Sequence, residues 1–370
     1  MMNSPSKVLK RSISMISSHS CFVPVSRASW AIFACLKIHK TNKNQVIAMP
    51  SFICQSVVAA VFAAGWKILF IDINIENANV SSEEYTKAIK ANKIDAILFV
   101  HLLGNRNKLR DLQTKCTKNG ILLIEDSAQL CPSEEFTEEE NLSYVKIFSF
   151  GYSKPINVGG GGILCTEDKA LKRELEELRN SYLFKSQDKL QEISMDFQER
   201  FYKLKDLVAN NEKEKFSFQK LLRVYIPLLD LEFPFSDFLI ERIVHGIKNL
   251  KKNTRIRRQN WEKYLKYIKC NSMLPLLEEE SIPWRAAFRI DNINYSRQHE
   301  ISNTLREIGF DVSNWYLPAH WYIDSRDSTD LKLENTVKLS KEIIQFWVDK
   351  EFNVNHFTSL NNNLNKLINE

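Results

Sequence analysis

No aspartate or glutamate occurs in the first 71 residues of this 370-residue chain. The first twenty are serine-rich and carry Lys7, Lys10 and Arg11, a composition that mimics a transit peptide. Nothing long and apolar follows, so the expectation for residues 1–20 is a short flexible or docking terminus. The seven cysteines (Cys21, Cys35, Cys54, Cys116, Cys131, Cys165 and Cys270) are odd in number, scattered and never spaced as CxxC. That pattern gives no disulfide framework and no metal site, and it fits a reducing, cytoplasmic compartment. No apolar stretch reaches the length of a membrane span; residues 57–71 come nearest and are interrupted by Gly65 and Lys67. The net charge is +6, but 51 basic residues are interleaved with 45 acidic ones and no groove-reading motif accompanies them. Nucleic acid is therefore not an expected partner.

What is present concentrates in residues 121–166. The run Ile121-Leu122-Leu123-Ile124 is too short for a helix and reads as a strand buried on both faces. It ends on Glu125-Asp126, which puts a carboxylate at the carboxyl end of a strand, the edge where open α/β sheets bind ligands. Residues 144–150 form a second strand-like segment that delivers Ser149, Ser153 and Lys154 to a loop closed by Gly159 to Gly162. Lys154 precedes Pro155 and so is expected on a loop, in extended geometry. A lone lysine in apolar surroundings can lose its proton and form a Schiff base with a carbonyl. An aspartate at a buried strand end can hold a pyridinium nitrogen protonated. Together they point to a pyridoxal phosphate site.

The segments IEDSAQ, FSFGYSKP and NVGGGGILCT, with MPSFICQSVVAAVFAAGWKILFIDIN upstream, resemble the DegT/DnrJ/EryC1/StrS family of pyridoxal phosphate-dependent sugar aminotransferases. The likeness runs from about Val25 to the C-terminus. It implies the aspartate-aminotransferase fold: a large α/β domain with a mixed, mostly parallel sheet and a small α+β C-terminal domain. It further implies that Lys154 carries the cofactor and the proton, that Asp126 pairs with the pyridinium nitrogen, and that Gln129 lies beside the phenolic oxygen. Ala28, Ser29 and Ser149 fall at phosphate-binding positions, in keeping with a helix start rich in small residues; an ordinary helix cap is the simpler reading of Ser29. Four positions depart from the family pattern. Arg27 replaces a usual glycine and either reaches a phosphate or is solvated. Cys54 stands where most relatives have the aromatic that stacks on the cofactor ring, so Cys54 itself or Phe52 is expected to cover it. Glu232 and Pro234 fall where many relatives reach across a dimer to the neighbour's phosphate. His101 is expected to be a hydrogen-bonded structural residue.

The rest of the chain fits that frame. Strands at 45–49, 68–73, 94–100 and 121–124 alternate with helices at 56–64, 82–91 and 108–119, a rhythm that makes a mostly parallel sheet. A charge-rich helical region runs to Lys215, an irregular crossing occupies 221–235, and one long helix with a basic face spans 236–268. From Ile282 the expected pattern is a strand at 284–290, a helix at 297–309, a strand at 311–315 and a final helical region from Glu334. The domains are expected at 1–235 and 236–370. Tyr316 and His320 match a family turn near the substrate, with core packing the alternative. The resemblance implies a homodimer that takes an amino group from an amino acid, usually L-glutamate, and gives it to a nucleotide-linked ketosugar. The rival readings are a sugar dehydratase, against which the presence of Lys154 argues, and a catalytically silent scaffold protein, which the departures favour.

Overall fold

A computed structural model describes residues 5–91, 93–132, 145–182, 187–212, 218–230, 236–323, 332–349 and 356–369. In chain order the elements are α1 (Pro5–Ile13), β1 (Cys21–Val25), α2 (Ala28–Ile38), β2 (Val46–Pro50), α3 (Gln55–Ala63), β3 (Lys67–Ile71), α4 (Ser82–Ala91) and β4 (Ala96–Val100). There follow α5 (Arg110–Asn119), β5 (Leu122–Asp126), β6 (Val145–Ser149), β7 (Gly162–Thr166), α6 (Lys169–Ser181), α7 (Gln187–Ala209) and α8 (Phe218–Tyr225). The remainder comprises α9 (Asp237–Lys248), α10 (Leu250–Tyr267), β8 (Met273–Pro275), β9 (Ala286–Ile290), α11 (Tyr295–Glu307), β10 (Val312–Ser313), α12 (Glu334–Glu342), β11 (Ile343–Phe346) and α13 (His356–Asn369).

Seven strands form one sheet in the order β1-β7-β6-β5-β4-β2-β3. All neighbours pair in parallel except at β7, which runs antiparallel to both β6 and β1. The apolar runs of β4 and β7 are buried along their whole length, as strands covered on both faces must be. A second sheet, β10-β11-β9-β8, is antiparallel throughout. Its core gathers Trp261, Tyr264, Phe288, Phe346 and Phe357 between the sheet and helices α10 and α13. This is the expected α/β architecture with a small antiparallel sheet. Its division at residue 235 remains a proposal.

Several local expectations change. Residues 5–13 are a helix whose Leu9 and Ile13 are buried with Ile243 and Ile247 of α9, so of the two readings of the terminus docking is the one found. Pairing of β1 with β7 adds an edge strand that the sequence reading did not include. The long helix at 236–268 is two helices that meet at Asn249, whose side chain bonds back to His245 O (2.9 Å) and competes with the helical backbone. Residues 218–225 are helical, so the crossing is shorter than expected; Glu232 and Pro234 lie outside the described residues. The final helical region is broken after Glu342, because Ile343–Phe346 inserts between β9 and β10 as the strand that completes the small sheet.

Candidate active site

The carboxyl ends of β2, β4, β5 and β6 open on one edge of the large sheet. β2 and β4 are neighbours whose onward connections run to opposite sides, β2 to β3 and β4 to β5, so they diverge there and leave a crevice. Asp126 ends β5 in that crevice and is buried. Its Oδ1 accepts the Ala128 N–H at 2.9 Å. Burial raises its pKa, opposed by the Ala128 hydrogen bond and by the neighbouring Lys154. Lys154 follows β6 on a turn closed by its own N–H donating to Gly151 O (3.2 Å). Ser153 holds the left-handed backbone of that turn at φ +65°, and its carbonyl accepts the Trp284 indole N–H at 2.6 Å. The ammonium rests 5.3 Å from the centre of the Trp284 ring. Burial lowers the Lys154 pKa; Cys54 and Asp126 pull it back up, and Arg285 pushes it further down. The neutral, nucleophilic amine is therefore more accessible here than on an exposed lysine.

Gln129 and Tyr316 meet in the same crevice. Gln129 donates from Nε2 to the Tyr316 hydroxyl (2.8 Å) and accepts the Leu103 N–H at Oε1 (2.8 Å), so its amide fixes the phenol in place. The Tyr316 pKa is raised, first by burial and then by the neighbouring Cys54 and Asp126. Phe52 packs edge-on against Tyr316 at 5.6 Å, which turns Phe52 into a wall of the phenol's pocket. Cys54 stays half-buried at the start of α3, its Sγ 3.1 Å from Ser56 Oγ. His320 pairs through Nδ1 with Ser51 Oγ (2.7 Å), on the loop that leaves β2. Lys154, Asp126, Cys54, Gln129 and Tyr316 thus form one cluster, to which His320 is joined through the 51–54 loop.

Ala28 and Ser29 open α2 at the neighbouring corner. Gly162, paired with Ser149 across β6 and β7, lets the helix start come close, since a Cβ there would lie 2.8 Å from Ala28 N. Arg27 precedes the helix in extended geometry and gives no side-chain cap. It bonds instead to the Tyr225 hydroxyl, which also bonds Ser56. An uncapped helix start beside the Ser149 hydroxyl and the Arg27 guanidinium suits a phosphate. With a half-buried lysine and a buried carboxylate a strand away, the donor set fits pyridoxal phosphate. His101 stands apart: its Nδ1 accepts the Asn107 N–H (3.3 Å) and its Nε2 donates to Glu125 Oε1 (2.9 Å), which fixes a neutral tautomer. Glu125 also pairs with Lys146 at 3.0 Å. The structural expectation for His101 accords with this geometry. Sequence reasoning missed Tyr225, Trp284 and Arg285. Only the unusual charge of Arg285 beside an apolar strand start offered a signal.

Solved structures with the same architecture are enzymes of the pyridoxal phosphate fold. The aminotransferase PseC of Helicobacter pylori, involved in pseudoaminic acid biosynthesis, superposes with a TM-score of 0.71 over 100% of this chain and 92% of its own, at 15% identity. 3-Amino-5-hydroxybenzoic acid synthase gives 0.73 over 99% and 91%, at 14% identity. At such identities the likeness is one of fold. The profile of the DegT/DnrJ/EryC1/StrS aminotransferase family matches residues 9–217, and the chain belongs to that family, whose members depend on pyridoxal phosphate. Among curated relatives, MosB of Rhizobium meliloti is 26% identical over 159 residues, 43% of this chain and 31% of that protein. GDP-perosamine synthase of Vibrio cholerae is 24% identical over 157 residues, 42% of each chain. The matched stretch spans less than half the length of these relatives.

Proposed function

We propose that the chain is an aminotransferase that moves an amino group from an amino acid, L-glutamate, to a ketosugar linked to a nucleoside diphosphate. Its product would feed polysaccharide or glycoconjugate biosynthesis, and it would act as a cytoplasmic homodimer. The observation that carries this reading is the half-buried Lys154, its pKa lowered, in electrostatic contact with the buried Asp126 at the carboxyl edge of the sheet. Ala28 and Ser29 N–H groups, Ser149 and Arg27 would hold the phosphate of pyridoxal phosphate, Asp126 its ring nitrogen, and Lys154 its carbonyl carbon. Bound there, the cofactor supplies an electron sink for the carbon that bears the amine.

The protein's own part is to hold and move protons. Lys154 Nζ, partly desolvated and with its pKa lowered, would take the proton from the amine-bearing carbon and return it on the other side of the transfer, an acid/base contribution on the order of 10²–10⁴-fold. Asp126, raised by burial and drawn back by the Ala128 N–H and Lys154, would hold positive charge on the ring nitrogen. Gln129 acts through Tyr316, whose raised pKa keeps it a hydrogen-bond donor at neutral pH.

The test is a visible absorption spectrum of the protein with pyridoxal phosphate, before and after L-glutamate. The expected result is a band near the visible edge that bleaches with glutamate. In Lys154→Ala that band is absent while the circular dichroism is unchanged. A folded, dimeric wild-type protein that gives no band would sink the aminotransferase and leave the silent scaffold. A band with no response to any amino acid would leave a different reaction on the same cofactor.

A further inference from the structure

Arg285 is a cation with no role in the site as described so far. It is 7% exposed, and its guanidinium lies between two indole rings, 4.2 Å from the centre of Trp284 and 3.7 Å from that of Trp347. Both faces of the group are thereby closed to water, and only its edge can donate hydrogen bonds. On that edge Nε has no partner among the described residues. The charged and ionisable groups that face it are Tyr316, Asp311 and Asp349, which attract it through space, and Arg257, which repels it; burial brings its pKa down to about 10, so it stays charged at neutral pH. Lys154 adds a second repulsion. Because Lys154 and Arg285 both lie against Trp284, their cationic centres are within about 10 Å of each other.

A buried cation with an unsatisfied donor is an unfavourable arrangement unless an anion joins it. The shape of the exposed edge selects the anion. A guanidinium clamped between rings presents N–H groups in one plane, which matches the two oxygens of a carboxylate. In amino-group transfer the reacting amine must reach the atom that Lys154 holds, and in an α-amino acid the carboxylate sits on the same carbon as that amine. We propose that Arg285 is the binding residue for the α-carboxylate of the amino donor, held rigid by Trp284 and Trp347. This rests on the aminotransferase reading for the identity of the ligand, but not for the presence of a carboxylate site.

Two arms keep those claims separate. In the first, cofactor-free protein is titrated calorimetrically with maleate, comparing wild type with Arg285→Gln and Arg285→Lys, each checked for a native circular dichroism spectrum. The expected result is binding that weakens at least 10-fold in Arg285→Gln and is partly kept in Arg285→Lys. Equal maleate affinity in all three overturns the carboxylate site. In the second arm, protein loaded with pyridoxal phosphate is mixed with L-glutamate, L-glutamine or 4-aminobutyrate, and bleaching is followed against donor concentration. Arg285→Gln should raise the half-saturating concentration of glutamate and glutamine at least 30-fold, and change that of 4-aminobutyrate, which lacks the α-carboxylate, by less than 3-fold. Weakening of glutamate and 4-aminobutyrate but not glutamine would assign Arg285 to the distal carboxylate and overturn the proposal. Equal weakening of all three would make Arg285 a packing residue and overturn it too. If wild type bleaches with no donor, the aminotransferase reading fails and takes the donor assignment with it, while the maleate arm still decides whether Arg285 holds a carboxylate.

Discussion

Lys205 shows how one half-buried amine can set a pH dependence outside the catalytic cluster. It sits on α7 beside the stacked rings of Phe201 and Trp315, 5.7 and 5.5 Å from their centres, and bonds Asn314. Burial and the neighbouring Arg306 bring its pKa down to about 7. Its folded pKa is below its unfolded value, so between pH 7 and about 10.5 the unfolded chain binds the extra proton and stability rises with pH. Lys205→Met is expected to flatten that rise by up to about 1.4 kcal/mol per pH unit, measured as urea midpoints at pH 7, 8.5 and 10. The Gln129–Tyr316 bond offers a second check. Tyr316→Phe leaves the buried Gln129 amide without its acceptor and should cost about 1–3 kcal/mol, with a coupling above 0.5 kcal/mol in a double-mutant cycle with Gln129→Ala. At this scale the sequence disclosed the residues whose roles depend on local spacing. Asp126 at a strand end and Lys154 on a loop before Pro155 could be placed from a few neighbours each. Arg285 and Tyr225 could not, because their partners lie far along the chain, at Trp347 and at Arg27.

Two glycines set how closely elements approach around the crevice. Gly104, at φ +94°, sits where a Cβ would fall 2.2 Å from Ile282 O and 2.6 Å from Trp284 N. The close approach allows Trp284 N to donate to Leu103 O (2.9 Å), which holds Trp284 against the Lys154 turn. Gly104→Ala is expected to destabilise the protein by about 2–4 kcal/mol and to weaken pyridoxal phosphate binding, read by chemical denaturation and by titration of the absorption band. Gly162→Ala should press on backbone at Ala28 and displace the start of α2, lowering affinity for the cofactor more than stability. The βα alternation was legible through β5 because each element carries its own period and punctuation, such as the left-handed Gly120 that ends α5. β11 was not. Its four residues, IIQF, continue without a break from the amphipathic α12, and only the gap between β9 and β10 makes them a strand.

The molecule is held by three apolar cores, and the third belongs to the chain's start. Leu9, Ile13 and Ile16 pack with Phe148 and Ile163 of the large sheet and with Ile243 and Ile247 of α9. Leu9→Ala is expected to cost about 2–5 kcal/mol, although nothing in the serine-rich composition of residues 1–20 foretells a buried leucine there. Its partner, α9, lies more than 200 residues away. Fold class was readable because it follows from the order of elements, while the docking of α1 depends on a surface that exists only once α9 is in place.

The central position of β11 also bears on the order in which the protein is built. The large sheet is complete when Thr166 has been made, so Asp126 and Lys154 can take their places early in synthesis. The small sheet has to wait for Phe346, because its middle strand is its last. Tyr316 precedes β11 closely and Arg285 stands at the foot of β9, the strand β11 pairs with, so both are fixed only after that late closure. A nascent chain leaving the ribosome therefore carries the floor of the crevice for the time needed to translate about 180 further residues before its walls arrive. During that interval Lys154 lacks the wall that Trp284 gives it in the folded protein, so capture of the proposed cofactor in its final geometry is expected only after the chain is complete.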